Sequence, residues 1–576
     1  MMKINIIFLI IILAISVNGQ KYITAFQKSN GLETTTYFNC INFYKNLSKQ
    51  SANIQIKTFG NTDAGYPLHL VVFSADKSFE PTKWQQQNKL VILINNGIHP
   101  GEPDGIDASM ILLQDIVSGR IKIASNVIVA IIPIYNIGGS LNRSSFSRVN
   151  QNGPLAYGFR GNAQNLDLNR DFTKSDSRNS KAFTQIYHYL DPDIFIDNHV
   201  SDGADYQHTM TLLTTQHSKL GGSIGNYLHD VFEPSLFADM KLKSWPLTPY
   251  VNFEEGNPEK GWQAFYDYPR YSTGYTALFA TIGFMPETHM LKPFAQRVKS
   301  DYALMQTIIE QVAKQADAIK QKRKESREAI KNQQQFALNF KIDTTRFDNI
   351  IFLGYESEKQ KSDVTGMDRL FYNHDKPFTK QVKLYNYFIG EMMVTKPKAY
   401  IIPKGWHDVI DLLQLNKVVT KILLKDTIIE VEAYHIDDYK TSPRAYEKHY
   451  RHSGTKVSTT MQSIQFLKGD CIIYTGQKTD RFLVEMLEPI GDDSYFSWNF
   501  FDAILQQKEG YSDYRWEDVA AKYLQQHPDL QQALNEKRQA DAKFAASSSQ
   551  QLDFVYKHSP YYEPAHLRYP VYRLLK

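Results

Sequence analysis

Three short, essentially apolar runs constrain the fold more than any other feature: LVILI at 90–94, VIVAIIPIY at 127–135 and DIFID at 193–197. Unbroken apolarity over so few residues predicts strands buried on both faces. Between the first two, GIDASMILLQDI at 105–116 has the spacing of a helix. Upstream, IQIKTFG at 54–60 and PLHLVVFS at 67–74 read as strands separated by the turn residues NTDAG. Strands alternating with helices predict an α/β domain whose mixed, largely parallel sheet is flanked by helices.

This domain is expected to span residues 20–319 and to end in a long helix. Val298, Tyr302, Met305, Ile309, Val312, Ala316 and Ile319 recur at spacings of three and four, one continuous apolar stripe. The stripe gives way to KQKRKESREAIKNQQQ at 320–335, read as a charged helical linker with a solvated face. Beyond it, DNIIFLGY at 348–355 and TIIEVEAYHI at 427–436 suggest a β-rich accessory domain over 336–450. A mixed α+β C-terminal region is expected over 451–576. The aromatic cluster SYFSWNFF at 494–501 reads as core packing in preference to a carbohydrate platform.

Composition removes several classes of function. Lys and Arg total 65 against 61 Asp and Glu, a net charge of +4, with no basic stripe for a nucleic acid. A mean hydropathy of −0.42 excludes a multi-span membrane protein. Two cysteines, Cys40 and Cys471, cannot build a disulfide framework or a cysteine-type zinc site. At the N-terminus, Lys3 precedes a twelve-residue apolar run at 6–17, and Val17 and Gly19 are small. That run has the length of a signal-peptide core and is too short to span a bilayer. The expectation is a secreted or periplasmic protein, with residues 1–19 as the cleaved signal and no membrane span.

The chemistry gathers where the strands end. His99 and Glu102 lie in the Gly/Pro loop after LVILI, His199 follows DIFID, and Glu287 ends TIGFMPE. A His-x-x-Glu pair alone is weak evidence, but sites in open α/β sheets form outside the carboxyl ends of strands. A catalytic zinc needs three protein ligands and an open position, and two His with one Glu is a known set. His99, Glu102 and His199 fill that role, leaving Glu287 as a general base outside the metal shell. Between them, the aperiodic stretch from Ser147 to Lys174 supplies Arg148, Arg160, Asn165, Asn169 and Arg170. Guanidinium and amide groups suit carboxylate capture and oxyanion stabilisation. Surface solvation is the better reading for Arg160 than for Asn169 and Arg170.

At these residues the sequence resembles the zinc carboxypeptidase (funnelin) family. The likeness runs from His-Pro-Gly-Glu at 99–102, through Asn-Arg-Asp-Phe at 169–172 and His199, to Glu-Thr at 287–288, and covers residues 30 to 310. It implies one Zn²⁺ per chain on His99, Glu102 and His199, with Glu287 as the base. It implies Arg148 as oxyanion stabiliser, with Arg143 nearby, and Asn169 with Arg170 as the clamp on a substrate's terminal carboxylate. The family places a mobile Tyr and a specificity residue before the catalytic Glu. Here that stretch is YDYPRYSTGY at 266–275, with four tyrosines open to the role. The implied activity is a secreted zinc metallocarboxypeptidase whose partner is a peptide with a free C-terminal carboxylate. A zinc-dependent amidohydrolase or deacylase acting on N-acyl amino acids or cell-wall peptides is the alternative, and a non-catalytic binding protein a third.

Overall fold

A computed structural model describes residues 23–201, 203–251 and 258–576 of the chain. The proposed signal at 1–19 lies outside the described residues. The apolar runs are strands, and successive residues of each fill opposite faces of one sheet. Leu90, Ile92 and Ile94 enter one hydrophobic cluster, while Val91 and Leu93 enter another. Val127, Val129 and Ile131 alternate with Ile128, Ala130 and Ile132 in the same way. Both faces are covered, so the strands are apolar up to their carboxyl ends, where the buried polar residues Asn95 and Asp197 sit.

The sheet has nine strands: β1 (Ile54–Asn61), β2 (Pro67–Ser74), β3 (Leu90–Asn95), β4 (Val127–Ile132), β5 (Ile194–Asp197), β6 (His199–Ser201), β7 (Met210–Thr214), β8 (Thr248–Pro249) and β10 (Ile282–His289). A short β9 (Trp262–Gln263) belongs to another sheet. The order is β1-β2-β4-β3-β5-β10-β7-β8, with β6 beside β10. Strands β4, β3, β5 and β10 run parallel at the centre. The β1–β2, β2–β4 and β7–β10 pairs are antiparallel. Helices Tyr37–Gln50, Asp104–Val117 and Phe294–Lys314 cover one face, and Arg178–Leu190 lies on the other.

Two expectations need correcting. The apolar stripe from Val298 to Ile319 is not one helix, because the chain leaves helical geometry at Gln315 (φ −107°, ψ 18°) and restarts as Ala316–Asn332. The charged run is therefore a packed helix and not a solvated linker. Its Arg323, 5% exposed, reaches Asp191 and Asp193 at 2.9 Å each, and Lys320 reaches Asp193 at 2.8 Å. Those aspartates belong to the Leu-Asp-Pro-Asp segment that ends helix Arg178–Leu190, so the basic residues neutralise a specific acidic site.

The C-terminal half holds β11 (Gln335–Ile342), β12 (Asp348–Lys361), β13 (Asp368–Tyr385) and β14 (Phe388–Thr395). It continues with β15 (Ala399–Ile402), β16 (Lys421–Ile422), β17 (Thr427–Thr441), β18 (His452–Phe466), β19 (Cys471–Tyr474) and β20 (Tyr572–Leu574). Strands β11 and β14 pair, β12 and β13 form a long hairpin edged by β9, and the last six make one sheet. Its order, β16-β19-β15-β20-β17-β18, crosses the boundary expected at residue 450. That boundary falls in the β17–β18 connection, and β18 was not legible as a strand because most of its residues are polar and exposed.

The two halves share a core. Tyr400, Ile402, Phe482, Leu483, Tyr495, Phe496 and Tyr569 belong to the same buried cluster as Leu93, Phe183 and Phe195. Within the aromatic run, Tyr495, Phe496, Trp498 and Phe501 are fully buried, so it serves packing. Cys40 and Cys471 are separate buried thiols. Among the described residues, no helix is long and apolar enough to cross a membrane.

Candidate active site

Strand register brings the strand-end groups together. Glu287 on β10 is the direct parallel neighbour of His199 on β6. Asn95 at the end of β3 pairs with Asp197 at the end of β5, which places the loop carrying His99 and Glu102 beside His199. Two glycines allow the close approach. A Cβ on Gly105 would lie 2.3 Å from Asn198 Cβ, and one on Gly101 would lie 2.6 Å from Arg148 Cδ.

His99, Glu102 and His199 each offer a ligand atom, all within 4.8 Å of one another. Both imidazoles present Nδ1 to the centre. His99 Nδ1 is 3.3 Å from Glu102 Oε1 and is buried without a hydrogen-bond partner among the described residues. His199 Nδ1 is 3.2 Å from Glu102 Oε2. Each ring is held from behind by a carboxylate: Asp167 lies 2.9 Å from His99 Nε2, and Asp197 lies 3.1 Å from His199 Nε2. Carboxylate-backed imidazoles facing one acidic oxygen pair suit a divalent cation. An orphaned buried nitrogen pointing at that centre fits the same group.

The charges agree. Burial alone would push Glu102 up, but the neighbouring His99 and Arg148 and the hydrogen bond to His199 hold its carboxyl well below the usual range. Burial likewise opposes the Asp167 carboxylate, and His99 and Arg160 overcome it. Around His199 burial disfavours charge, yet Asp197, Glu102 and Glu287 draw positive charge to the ring. The same negative field favours a bound cation in the proton's place.

A cavity of about 350 Å³ opens onto this centre and is lined by His99, Glu102, His199, Glu287, Arg148, Arg160, Asn169 and Arg170. The seven residues expected to form the site thus meet at one cavity together with Arg160, whereas Asn165 does not line it. Arg148 Nη1 donates to Glu102 at 2.9 Å. Arg143 instead donates to the carbonyls of Thr35 and Ala156 and serves the loop. Asn169 Oδ1 accepts from the Ser272 amide at 3.3 Å, and Arg170 lies over the Tyr271 ring at 4.6 Å. Arg160 is exposed, as expected of a surface residue, yet it also lines the cavity and donates to Asp167 at 2.9 Å. Of the four tyrosines at 266–275, Tyr271 is the one lining the cavity.

Several partners escaped sequence reasoning. Asp197 had a signal, since residues two apart in a strand share a face and His199 follows it at that spacing. Asp167 had none, because it sits before a single 3₁₀ turn, Leu168–Arg170, in an aperiodic loop.

A family model described as zinc carboxypeptidase matches residues 40–358, more than half of the chain. No curated sequence matches. Among solved structures, a metallo-carboxypeptidase from Burkholderia cenocepacia is 15% identical, with a TM-score of 0.36 over 48% of this chain and 69% of that one. Carboxypeptidase A from Helicoverpa armigera is 14% identical, with a TM-score of 0.36 over 49% and 74%. A putative metallopeptidase from Shewanella amazonensis is 16% identical, with a TM-score of 0.32 over 47% and 92%. With the family match covering more than half of the chain, this chain belongs to the zinc carboxypeptidase family.

Proposed function

We propose that the protein is an exported zinc metallocarboxypeptidase that removes C-terminal residues from peptides. The observation that carries this reading is the opening of one cavity onto both the His99–Glu102–His199 group and the Asn169–Arg170 pair. His99, Glu102 and His199 would hold one zinc. When bound, zinc lowers the pKa of a water and polarises the scissile carbonyl. Arg170 holds the substrate's terminal carboxylate, and the Asn169 amide nitrogen adds a donor, its oxygen being occupied by Ser272. Glu287 takes the proton of the attacking water and returns it to the leaving nitrogen. Arg148, with Arg160 beside it, stabilises the oxyanion. Leu213, Tyr250, Phe265, Tyr271 and Met285 line the same cavity and suit an apolar or aromatic C-terminal side chain. Export rests on the sequence of residues 1–19.

The test is a matched pair of peptides with free-acid and amidated C-termini, with products identified by mass. Amidation removes a charge-assisted hydrogen bond worth roughly 1.5–3 kcal/mol, so hydrolysis should fall by about 10- to 150-fold. Arg170→Ala should show the same loss on the free acid and little further loss on the amide. Equal cleavage of both forms, or cleavage of internal bonds, would overturn this reading in favour of the deacylase-type amidohydrolase.

A further inference from the structure

The connection between β17 and β18 lies against the catalytic half and contains a tight turn. Tyr446 and His449 exchange backbone hydrogen bonds of 2.8 and 3.1 Å around Glu447 and Lys448. Both central residues have positive φ, 48° and 76°. That is the backbone of a two-residue primed hairpin, in which glycine or asparagine is the comfortable choice. Glutamate and lysine there are strained, and such strain persists only where the surroundings hold the turn.

They hold it at three points. Glu447 Oε2 accepts from the backbone amide of Asp167 at 2.8 Å. His449 is fixed between Asp176 Oδ2 at 2.7 Å and Asn499 Oδ1 at 2.5 Å. The Tyr446 ring stacks at 17° on the fully buried Trp498, with centroids 6.1 Å apart. So anchored, the Tyr446 hydroxyl accepts from Arg170 Nε at 2.9 Å.

We infer that Tyr446 is a positioning residue of the carboxylate clamp, and that the turn at 446–449 is how the C-terminal sheet contributes to the site. This rests on the carboxypeptidase reading above. Arg170 Nη1 donates to the Asn169 carbonyl at 2.8 Å, the guanidinium face lies on Tyr271, and Nε is committed to the phenol. Nη2 has no hydrogen bond among the described residues. A carboxylate is therefore met end-on by the terminal nitrogens, because the side-on edge that includes Nε is blocked. Fixing the guanidinium before substrate arrives removes an ordering cost from binding. The effect falls on substrates with a terminal carboxylate and not on the proton chemistry at Glu287.

The test is Tyr446→Phe in the full chain, which keeps the ring on Trp498 and deletes only the hydroxyl. Matched free-acid and amidated peptides give kcat and KM, and free L-phenylalanine serves as a product-like inhibitor. KM for the free acid should rise about tenfold, as for loss of one hydrogen bond to a charged group. kcat should stay within about twofold of wild type, and the amidated peptide should be unaffected. Inhibition by L-phenylalanine should weaken in step with KM. Glu447→Ala, which releases the turn at its other tether, should shift KM in the same direction. If wild type discriminates between the peptides and Tyr446→Phe discriminates equally well, this inference alone is overturned. A variant impaired equally on both peptides would make Tyr446 merely structural, which also overturns it. If wild type does not discriminate, the inference falls together with the carboxypeptidase reading.

Discussion

Replacing Asp197 separates the orientation of a ligand from its identity. One oxygen of this buried carboxylate lies 3.1 Å from His199 Nε2, and the other accepts from Asn95 Nδ2 at 2.8 Å. Asp197→Ala leaves His199 in place but removes what turns its Nδ1 toward Glu102 and fixes its tautomer. Losing such a partner weakens metal affinity by about 10- to 100-fold, or about 1.4–2.7 kcal/mol. It also strands the Asn95 amide, which costs folding about 1–3 kcal/mol. Asp197→Asn should be milder. Asn95 Oδ1 is buried without a partner among the described residues, so an amide flip there can accept from the introduced NH₂ and leave the new oxygen facing His199. Only charge assistance is then lost, and the zinc affinity of this variant should lie between wild type and alanine. Zinc retention against a graded chelator series, with thermal midpoints measured in parallel, reads both quantities. If Asp197→Ala loses stability as predicted but holds zinc as tightly as wild type, Asp197 does not set the His199 ligand.

Three further outcomes follow from the same geometry. Glu287→Gln should keep zinc and fold while turnover falls by at least about 10²–10⁴-fold, checked by metal analysis beside steady-state kinetics. Arg323→Ala breaks a buried cluster with Asp191 and Asp193 and should cost about 3–5 kcal/mol, measured by denaturant unfolding. Burial raises Glu233 from 4.5 to about 7. The folded chain keeps this proton to about pH 7 while the unfolded chain releases it near 4.5, so stability falls as pH rises through that window. Glu233→Gln should therefore stabilise the protein at pH 8, by on the order of 3 kcal/mol, and change little at pH 4; an equal effect at both would refute the assignment.

What the sequence displays well is whatever periodicity and strand ends encode. Residues 90–94 and 127–132 alternate between two cores, so unbroken apolarity identified them correctly as doubly covered strands. His199 and Glu287 stood out because each directly follows such a run. Arg160 did not, since its place depends on Asp167, and neither lies in a periodic segment. Tyr271 was one of four candidates that only packing distinguishes. Tyr446 was out of reach, being 276 residues from Arg170 in sequence and carried by a hairpin whose second strand is polar. Helix 316–332 misled because a basic run on a helix usually faces water, whereas this one meets the acidic segment around Asp191 and Asp193.

The position of β20 also sets the order in which the molecule can be assembled. It lies between β15 and β17, roughly 170 residues after β15 in the chain, and its buried Arg573 pairs with Glu432 and Glu488. During synthesis β15 and β17 must wait, with their inner edges unpaired, until residue 574 has been made. Unpaired edges invite association with other chains, so the interval before β20 docks is when the nascent protein most needs protection. The turn that steadies Arg170 hangs from β17. Catalytic competence should therefore appear late, after the N-terminal sheet has formed, and a ribosome-released chain lacking residues 571–576 should carry every zinc-site residue yet bind free-acid peptides poorly.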